Sequence, residues 1–348
     1  MSSEAKEKEE VKAKALKPGV GVDVGTANIV VTRQYEDGSY EVKHHRNMLF
    51  KVEDAEDMDM LLANALSVKA NGKTFVVGQD ALSLVNALGG GELIRPMKDG
   101  LINPSVGEAE ELLFHILQAV VGKPIKEGEK LRFSVPANPI DRPEENNFFH
   151  EHVLQEFFKS LGFESKGVNE AAAVVYSEGI SMEDPEQGTF PLTGVGISWG
   201  AGMANAAAVL KGKPVAIISN TRCGDYIDQQ VAKVTGKQTS QIIKIKERQL
   251  NLETVNESDR TLKALSIFYD EVLNRIGKGL IKAFVESGTK FDGPIVIMNA
   301  GGTSMPKGFT VRLKNVLDKL EMPFEVKEVS ISKTPFYAVS RGACLAAQ

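Results

Sequence analysis

Two stretches that lie half a chain length apart are closely similar: GVGVDVGTANIVV begins at Gly19 and GVGISWGAGMANAAAV begins at Gly194. In each stretch, apolar residues run into a turn of small residues, pass an Ala-Asn pair and leave through further apolar residues. Apolar strands that flank a short glycine turn are typical of a β-hairpin. The first copy carries an acid, Asp23, where the second has Ser198 followed by Trp199. A hairpin repeated at this distance indicates a duplication into two similar halves, not an array of short repeats.

The residues around these hairpins have the pattern of alternating strands and helices. Helical spacing of apolar residues predicts amphipathic helices at 105–121, at 144–162 and from about Ser258 to Gly288. Residues 73–82 are predicted to be extended, and a helix of small residues is expected at 169–179. Strand hairpins followed by helices, twice over, predict an α/β protein made of two duplicated domains.

Composition limits the partners that the chain can have. Of its 348 residues, 42% are hydrophobic and 25% are charged, which suits about two domains with sizeable cores. The net charge of −5 gives no reason to expect a nucleic acid as partner. No apolar run is long enough for a membrane-spanning segment, and no secretory signal is recognisable.

Cysteine and histidine usage gives no sign of a structural metal. The two cysteines, Cys223 and Cys344, lie far apart and form no CxxC pair, and the five histidines lack zinc-ligand spacing. We therefore expect a reducing, cytoplasmic compartment. The histidines expected at the surface are His44, His45, His150 and His152.

Four segments are expected along the chain. Residues 1–17 carry charges of both signs without a wide apolar face, which predicts a flexible tail; a short helix that docks on a neighbouring subunit is the alternative. The first domain is expected at 18–160, with a small inserted subdomain at about 36–80, and the second at 161–335. Residues 336–348 are expected to form a terminal helix that packs back on the first domain.

The glycine turns have the chemistry of a phosphate site. Glycine lets backbone N–H groups approach an anion closely. Thr26 and Asn28 add donors, whereas Asp23 would repel phosphate but can hold a hydrated Mg²⁺ that bridges phosphate oxygens. An ordinary Asp-Gly turn is the alternative. A third glycine turn, from Asn299 to Ser304, leaves room for a base or ribose. Because neither a Walker lysine motif nor GxGxxG is present, a nucleotide site here belongs to another class.

The ordered set of motifs resembles the actin superfamily of ATPases, which includes actins, seventy-kilodalton chaperones and sugar kinases. GVDVGTAN is very similar to the first phosphate loop of bacterial actins of the MreB and MamK type, and GISWGAGMAN resembles their second. RPMKDGLI, NEAAAVVYSEG, CGDYID, NAGGTSMPKG and YAVSRGACLAA resemble further family segments in the same order. The resemblance covers about 18–348 and implies two duplicated actin-like, ribonuclease-H-like domains with a nucleotide cleft between them.

The resemblance implies a role for each matching residue. ATP or ADP would lie in the cleft with Mg²⁺, Asp23 would coordinate the metal shell, and Glu170 would orient the attacking water. A salt bridge at a helix start is the alternative for Glu170. Ser198 stands where the family has a catalytic aspartate. The residues expected to contact the nucleotide are Gly25, Thr26, Ala27, Asn28, Gly200, Ala201, Gly202, Met203, Gly224, Asp225, Lys246, Glu247, Ala300, Gly301, Gly302 and Thr303.

The second phosphate loop departs from the family pattern, which usually reads Asp-x-Gly-x-Gly-Thr-x-Asp. Here Ser198 leads the loop, Met203 stands at the threonine position and Asn205 at the second acid. A serine hydroxyl is a weak metal ligand, and loss of one positioning group commonly lowers a rate by about 10²–10³-fold. Nucleotide binding should therefore survive, while hydrolysis should be slow or should rely mainly on the two remaining acids. Trp199 is expected either to pack under the loop or to report directly on nucleotide.

A second departure concerns length. The stretch between Gly224 and Gly301 is shorter than expected for a bacterial actin. The upper subdomain of the second half, which helps to form longitudinal filament contacts in the family, is therefore expected to be reduced.

Three functions fit the resemblance. The first is a filament-forming actin-like ATPase with head-to-tail subunit contacts, an unknown cargo or adaptor, and no choice fixed between ATP and GTP. The second is a chaperone-like or scaffold nucleotide switch that does not polymerise. The third, a sugar kinase, has no sugar pocket or catalytic acid to support it in the sequence.

Overall fold

The computed structural model of the protein describes residues 14–52, 65–88, 91–184 and 186–348. Most of the expected tail therefore lies outside the described residues. The first strand begins at Leu16, within the segment expected to be a tail.

Strands and helices alternate along the described chain. The strands are β1 (Leu16–Val24), β2 (Asn28–Tyr35), β3 (Tyr40–Arg46), β4 (Leu49–Val52), β5 (Ser67–Ala70), β6 (Lys73–Val77), β7 (Leu93–Ile94), β8 (Met97–Lys98), β9 (Leu101–Ile102), β10 (Lys130–Val135), β11 (Glu164–Asn169), β12 (Ser181–Asp184), β13 (Gly188–Pro191), β14 (Gly194–Trp199), β15 (Ala204–Leu210), β16 (Lys213–Asn220), β17 (Ile295–Ala300) and β18 (Val326–Ile331). The α-helices are α1 (Gly78–Ala87), α2 (Ala109–Val121), α3 (Phe148–Ser160), α4 (Glu170–Glu178), α5 (Gly224–Thr235), α6 (Thr239–Gln249), α7 (Arg260–Glu286), α8 (Phe309–Leu320) and α9 (Ala338–Ala347).

Two five-stranded sheets share one topology. The first has the order β11-β10-β1-β2-β3 and the second β18-β17-β14-β15-β16. In each, three antiparallel strands continue on one side into two parallel strands. This strand-for-strand correspondence confirms the predicted duplication.

The two hairpin turns close with the same hydrogen bond. Gly25 N donates to Asn28 O at 3.1 Å, and Gly200 N donates to Met203 O at 2.9 Å. A Cβ on either glycine would lie 2.7–2.8 Å from the accepting oxygen, so only glycine fits. Asn28 is therefore the structural counterpart of Met203.

Strand register shows that the two Ala-Asn pairs in the sequence are not equivalent. Asp23 lies opposite Val30 in the first hairpin, and Ser198 lies opposite Asn205 in the second. Asn205 is therefore the counterpart of Val30. The acid in the first hairpin and the serine in the second do occupy matching places.

The amphipathic helices cover one face of each sheet. On the first sheet, α2 and α3 bury Leu113, Ile116 and Phe158 against strand residues such as Phe133. On the second, α5, α7 and α8 do the same. The helices predicted at 105–121, at 144–162 and from Ser258 to Gly288 correspond to α2, α3 and α7.

Helices α4 and α9 are exchanged between the halves. α4 follows the first sheet in sequence but packs mainly on β14, and α9 follows the second sheet but packs on β1. A Cβ at Gly21 would lie 1.9 Å from a backbone oxygen of α9, and one at Gly196 would lie 2.0 Å from a backbone oxygen of α4. The two helices also cross, since a Cβ at Gly342 would lie 1.8 Å from Ala173 O. Small residues therefore let both helices sit directly on the central strands.

The halves differ in their additional structure. The first carries a four-stranded sheet, β5-β6-β4-β7, with α1 beside it. In the second, residues 221–294 are fully described and contain helices with one isolated bridge, Asn251 to Lys307, but no strand. This confirms the expected reduction of the upper second-half subdomain. None of the helices in the described part of the chain has the length and apolar character needed to span a bilayer.

Candidate functional site

The two hairpin turns face a cavity of about 930 Å³ between the halves. The structure brings together at this cavity all the residues assigned by sequence except Ala300, which is buried between α4 and α9. The assigned residues that line it are Asp23, Gly25, Thr26, Ala27, Asn28, Glu170, Ser198, Gly200, Ala201, Gly202, Met203, Gly224, Asp225, Lys246, Glu247, Gly301, Gly302 and Thr303.

The two hairpin turns lie close together, and a third turn contacts both of them. Asp99 and Gly100 join β8 to β9 with φ values of 50° and 81°, a conformation that suits an Asp-Gly turn. Gly100 N donates to Thr26 Oγ1 at 3.0 Å. A Cβ on Gly202 would lie 2.4 Å from Thr26 Oγ1, and one on Gly100 would lie 2.6 Å from Met203 Sδ. The Asp99–Gly100 turn therefore touches both hairpins, a contact that the sequence did not indicate.

Two carboxyl groups lie at the cavity wall. Ser134 Oγ donates to Asp23 Oδ1 at 2.9 Å. Burial raises the pKa of Asp23 above its usual range, and the Ser134 bond opposes that shift. Burial also raises the pKa of Glu170, the Asp23 charge raises it further, and hydrogen bonds from Ser198 and Asn205 lower it. Both acids are thus less readily ionised than in water, which is the situation that a nearby cation would reverse.

The glycine-rich loop after β17 is fixed to the second hairpin. Thr303 Oγ1 donates to Gly200 O at 2.8 Å, and a Cβ on Gly301 would lie 2.4 Å from Trp199 O. Trp199 itself is 0% exposed, and its Nε1 donates to Asn299 Oδ1 at 2.8 Å. The indole therefore packs under the loop, in agreement with the first of its two expected roles.

Ion pairs hold two of the other assigned side chains, those of Lys246 and Asp225. Lys246 Nζ lies 2.6 Å from Asp228 Oδ2, both largely buried, and Glu247 lines the cavity beside them. Asp225 Oδ2 lies 2.9 Å from Arg95 Nη1, so this pair connects the two halves across the cavity. Arg95 belongs to the RPMKDGLI motif, but its role in the cavity was not foreseen.

The expectation for the histidines is wrong in part. His44 and His152 are exposed, and His45 is half-buried at the cavity. His150, however, is 3% exposed, and burial lowers its pKa to about 4. Its position explains this, because it shares the inward face of α3 with Leu154 four residues later.

A family model named Volactin matches residues 19–347. The chain belongs to the Volactin family. No curated protein sequence matches it significantly.

Solved structures of similar shape support the fold. A MamK double helical filament has a TM-score of 0.67 at 17% identity, over 94% of this chain and 98% of that one. MreB 5 of Spiroplasma citri bound to AMPPNP has a TM-score of 0.63 at 16% identity, over 94% of each chain. The ethanolamine utilization protein EutJ from Carboxydothermus hydrogenoformans has a TM-score of 0.52 at 15% identity, over 95% of this chain and 92% of that one. These similarities confirm the predicted fold: the chain has the actin-like fold.

Proposed function

We propose that the chain binds ATP or ADP with Mg²⁺ between its two halves. The observation that carries the proposal is the pair of hairpin turns, closed by the same glycine hydrogen bond and facing one cavity. Turns of this kind present backbone N–H groups to an anion. A cavity of about 930 Å³ is large enough for a nucleotide. AMPPNP in the similarly folded MreB 5 supports the same ligand class.

The carboxyl groups at the cavity suit a hydrated Mg²⁺. Among the described residues, no group of three or more His, Cys, Asp or Glu side chains could hold a metal ion. Mg²⁺ commonly keeps several waters and binds one or two carboxylates together with substrate phosphates. Asp23 would hold the metal shell. Glu170 lies close enough to Asp23 for the Asp23 charge to raise its pKa, and the positive charge of a bound Mg²⁺ would offset this repulsion. The bound metal would neutralise phosphate charge.

We propose slow hydrolysis, with Glu170 orienting the attacking water. Its carboxyl group lines the cavity and accepts hydrogen bonds from Asn205 and Ser198 of the second hairpin. Ser198 supplies a hydroxyl where the resemblance implies an acid, so a water held by Mg²⁺ would have one fewer charged partner on the protein. The predicted consequence is a phosphate-release rate well below that of a chain with the aspartate.

Calorimetric titration with ADP and with AMPPNP, each with and without Mg²⁺, tests the binding proposal. We expect Mg²⁺-dependent binding to the wild type and its loss in Gly200→Val, because a Cβ there meets Met203 O at 2.8 Å and opens the turn. No heat of binding with either nucleotide would refute the proposal.

We further propose that nucleotide-bound subunits assemble head to tail into filaments, acting in the cytoplasm with a cargo or adaptor still to be identified. The filament named in the MamK structure supports this. Contacts that repeat head to tail do not close, so they extend indefinitely. The two free cysteines, Cys223 and Cys344, agree with a reducing compartment.

A nucleotide switch that does not polymerise is the second candidate. The missing strands between β16 and β17 favour it, because a filament would lose part of its longitudinal contact there. Sedimentation with Mg²⁺–ATP separates the two functions. Nucleotide-dependent pelleting supports the filament, and binding without pelleting supports the switch.

A further inference from the structure

Asn205 is the second residue of β15, close to the turn of the second hairpin. It is 0% exposed and sits directly opposite Ser198 on the neighbouring strand. Side chains directly opposite each other in an antiparallel pair lie on the same face of the sheet. Asn205 and Ser198 therefore approach Glu170 from the same side.

The orientation of the Asn205 amide is fixed by its partners. Ala137 N lies 3.2 Å from Asn205 Oδ1. A backbone N–H can only donate, so it must face the carbonyl oxygen of the amide, and the NH₂ group must point the other way. On that side, Asn205 Nδ2 donates to Glu170 Oε2 at 2.9 Å.

Both ends of this connection are held rigidly. Ser219 Oγ donates to Ala137 O at 2.6 Å, which fixes Ala137, the partner of Asn205 Oδ1, against β16. Asn169 Oδ1 accepts hydrogen bonds from the backbone of Ala171 and of the next residue, which fixes the start of α4. The Glu170 backbone is therefore well defined, while its side chain has rotatable bonds that only side-chain contacts can restrain.

We propose that Asn205 is a positioning residue for ATP hydrolysis: its anchored amide holds the Glu170 carboxylate in the direction from which it orients the attacking water. This inference rests on the proposed hydrolysis. It assigns to Asn205 a donor role that an acid at this position could not perform. A carboxylate would keep the bond from Ala137 N but would offer no N–H to Glu170.

Asn205→Asp therefore separates the acceptor role of the side chain, toward Ala137 N, from its donor role, toward Glu170. The variant keeps the shape and the acceptor for Ala137. The new carboxyl group either repels Glu170 or shares its proton, so the neutral donor is lost in both cases. Asn220→Asp is the matched control. Asn220 is also buried at 1% exposure in the same sheet, its Oδ1 accepts from Arg222 N, and its Nδ2 has no hydrogen-bond partner among the described residues.

Phosphate release is measured at saturating and at limiting Mg²⁺–ATP for wild type, Asn205→Asp, Asn220→Asp, Glu170→Ala and the double variant Asn205→Asp/Glu170→Ala. We expect kcat to fall about 10²-fold in Asn205→Asp with KM changed by less than about threefold, because the effect is one of orientation. Asn220→Asp should retain wild-type kcat. The double variant should be no slower than Glu170→Ala, since Asn205 acts through Glu170.

The outcomes distinguish this inference from the function on which it rests. A kcat that falls in Glu170→Ala but stays at the wild-type value in Asn205→Asp overturns the inference alone. An additive loss in the double variant also overturns it, because Asn205 would then act independently of Glu170. Absence of phosphate release from the wild type overturns the proposed hydrolysis and the inference together.

Discussion

Gly202→Ala tests whether the two hairpins close on a ligand together. In the structure, a Cβ at this position would lie 2.4 Å from Thr26 Oγ1 and 2.8 Å from Gly100 N. A carbon and an oxygen or nitrogen in contact need more than about 3 Å, so the second hairpin must retreat by somewhat less than 1 Å. Thr26 cannot simply rotate away at no cost, because its hydroxyl accepts the hydrogen bond from Gly100 N.

The magnitude follows from overpacking. Inserting a methyl group into a closely packed contact commonly costs about 1–3 kcal/mol. If the closed arrangement is required for binding, that energy is lost from the binding free energy, and the dissociation constant for Mg²⁺–ADP should rise by about 10–100-fold. The variant should keep its fold, since the displaced turns face the cavity and not the cores.

Isothermal titration calorimetry with Mg²⁺–ADP measures the effect. Gly107→Ala is the control, because a Cβ at Gly107 meets no atom within 4 Å and its φ lies outside the left-handed region. It should bind as the wild type does. Wild-type affinity in Gly202→Ala would refute the reasoning, since the turns would then not need to approach as the structure has them.

Three further substitutions test other contacts. Ser198→Asp should raise phosphate release by about 10²-fold, the lower end of what one positioning group commonly contributes. It should also lower the melting temperature of the nucleotide-free protein above pH 7, because a third carboxyl group joins Asp23 and Glu170; unchanged phosphate release would contradict the role given to Ser198. Because the pKa of Glu170 is raised, the folded protein binds the proton of this carboxyl group more tightly than the unfolded chain does. The stability that this proton adds is present at low pH and is lost as pH rises toward the raised pKa. Glu170→Gln should therefore melt at least about 2 °C above the wild type at pH 8, with a smaller gap at pH 5; equal melting temperatures at pH 8 in nucleotide-free buffer would show that the carboxyl group is not destabilised. Gly342→Ala should lower the free energy of unfolding by at least about 2 kcal/mol, because the added Cβ would lie 1.8 Å from Ala173 O; a wild-type urea midpoint would rule out the close crossing of α4 and α9.

The elements that the sequence predicted are those with a strong local pattern. α2, α3 and α7 carry continuous apolar faces, and the hairpins join apolar strands through glycine turns. β11 and β18, by contrast, were missed. Both are edge strands of their sheets, β11 is largely polar, and only half of the residues of β18 are apolar. Their pairing depends on the neighbouring strand and not on their own composition.

Residues 73–82 show how a local pattern can mislead. The strand prediction holds for β6, but Gly78 has a φ of 68° and the chain turns there into α1. A glycine in the left-handed region ends the strand. The apolar residues at helical spacing, Ala81, Leu84 and Val85, begin only at the end of the segment predicted to be extended, so its strand-like start decided the prediction.

The site divides in the same way. The glycines of the turns could be assigned because backbone geometry restricts them to that residue type. Ser134, Arg95 and Gly100 were not assigned. Arg95 and Gly100 lie in the RPMKDGLI motif and line the cavity, and Ser134 donates a hydrogen bond to Asp23, but the contacts of all three are made across long sequence distances that no local pattern reveals. The Ala-Asn pairs shared by the two hairpins suggested that Asn28 and Asn205 are equivalent. The residue types match, but the strand registers place the two asparagines at different positions.

Electron microscopy of the purified protein with Mg²⁺–ATP tests the central claim most directly. We expect filaments in the presence of Mg²⁺–ATP and separate particles without nucleotide or after Gly200→Val. Separate particles of the wild-type protein with Mg²⁺–ATP, at nucleotide concentrations that saturate binding, would contradict the claim that this actin-like chain polymerises.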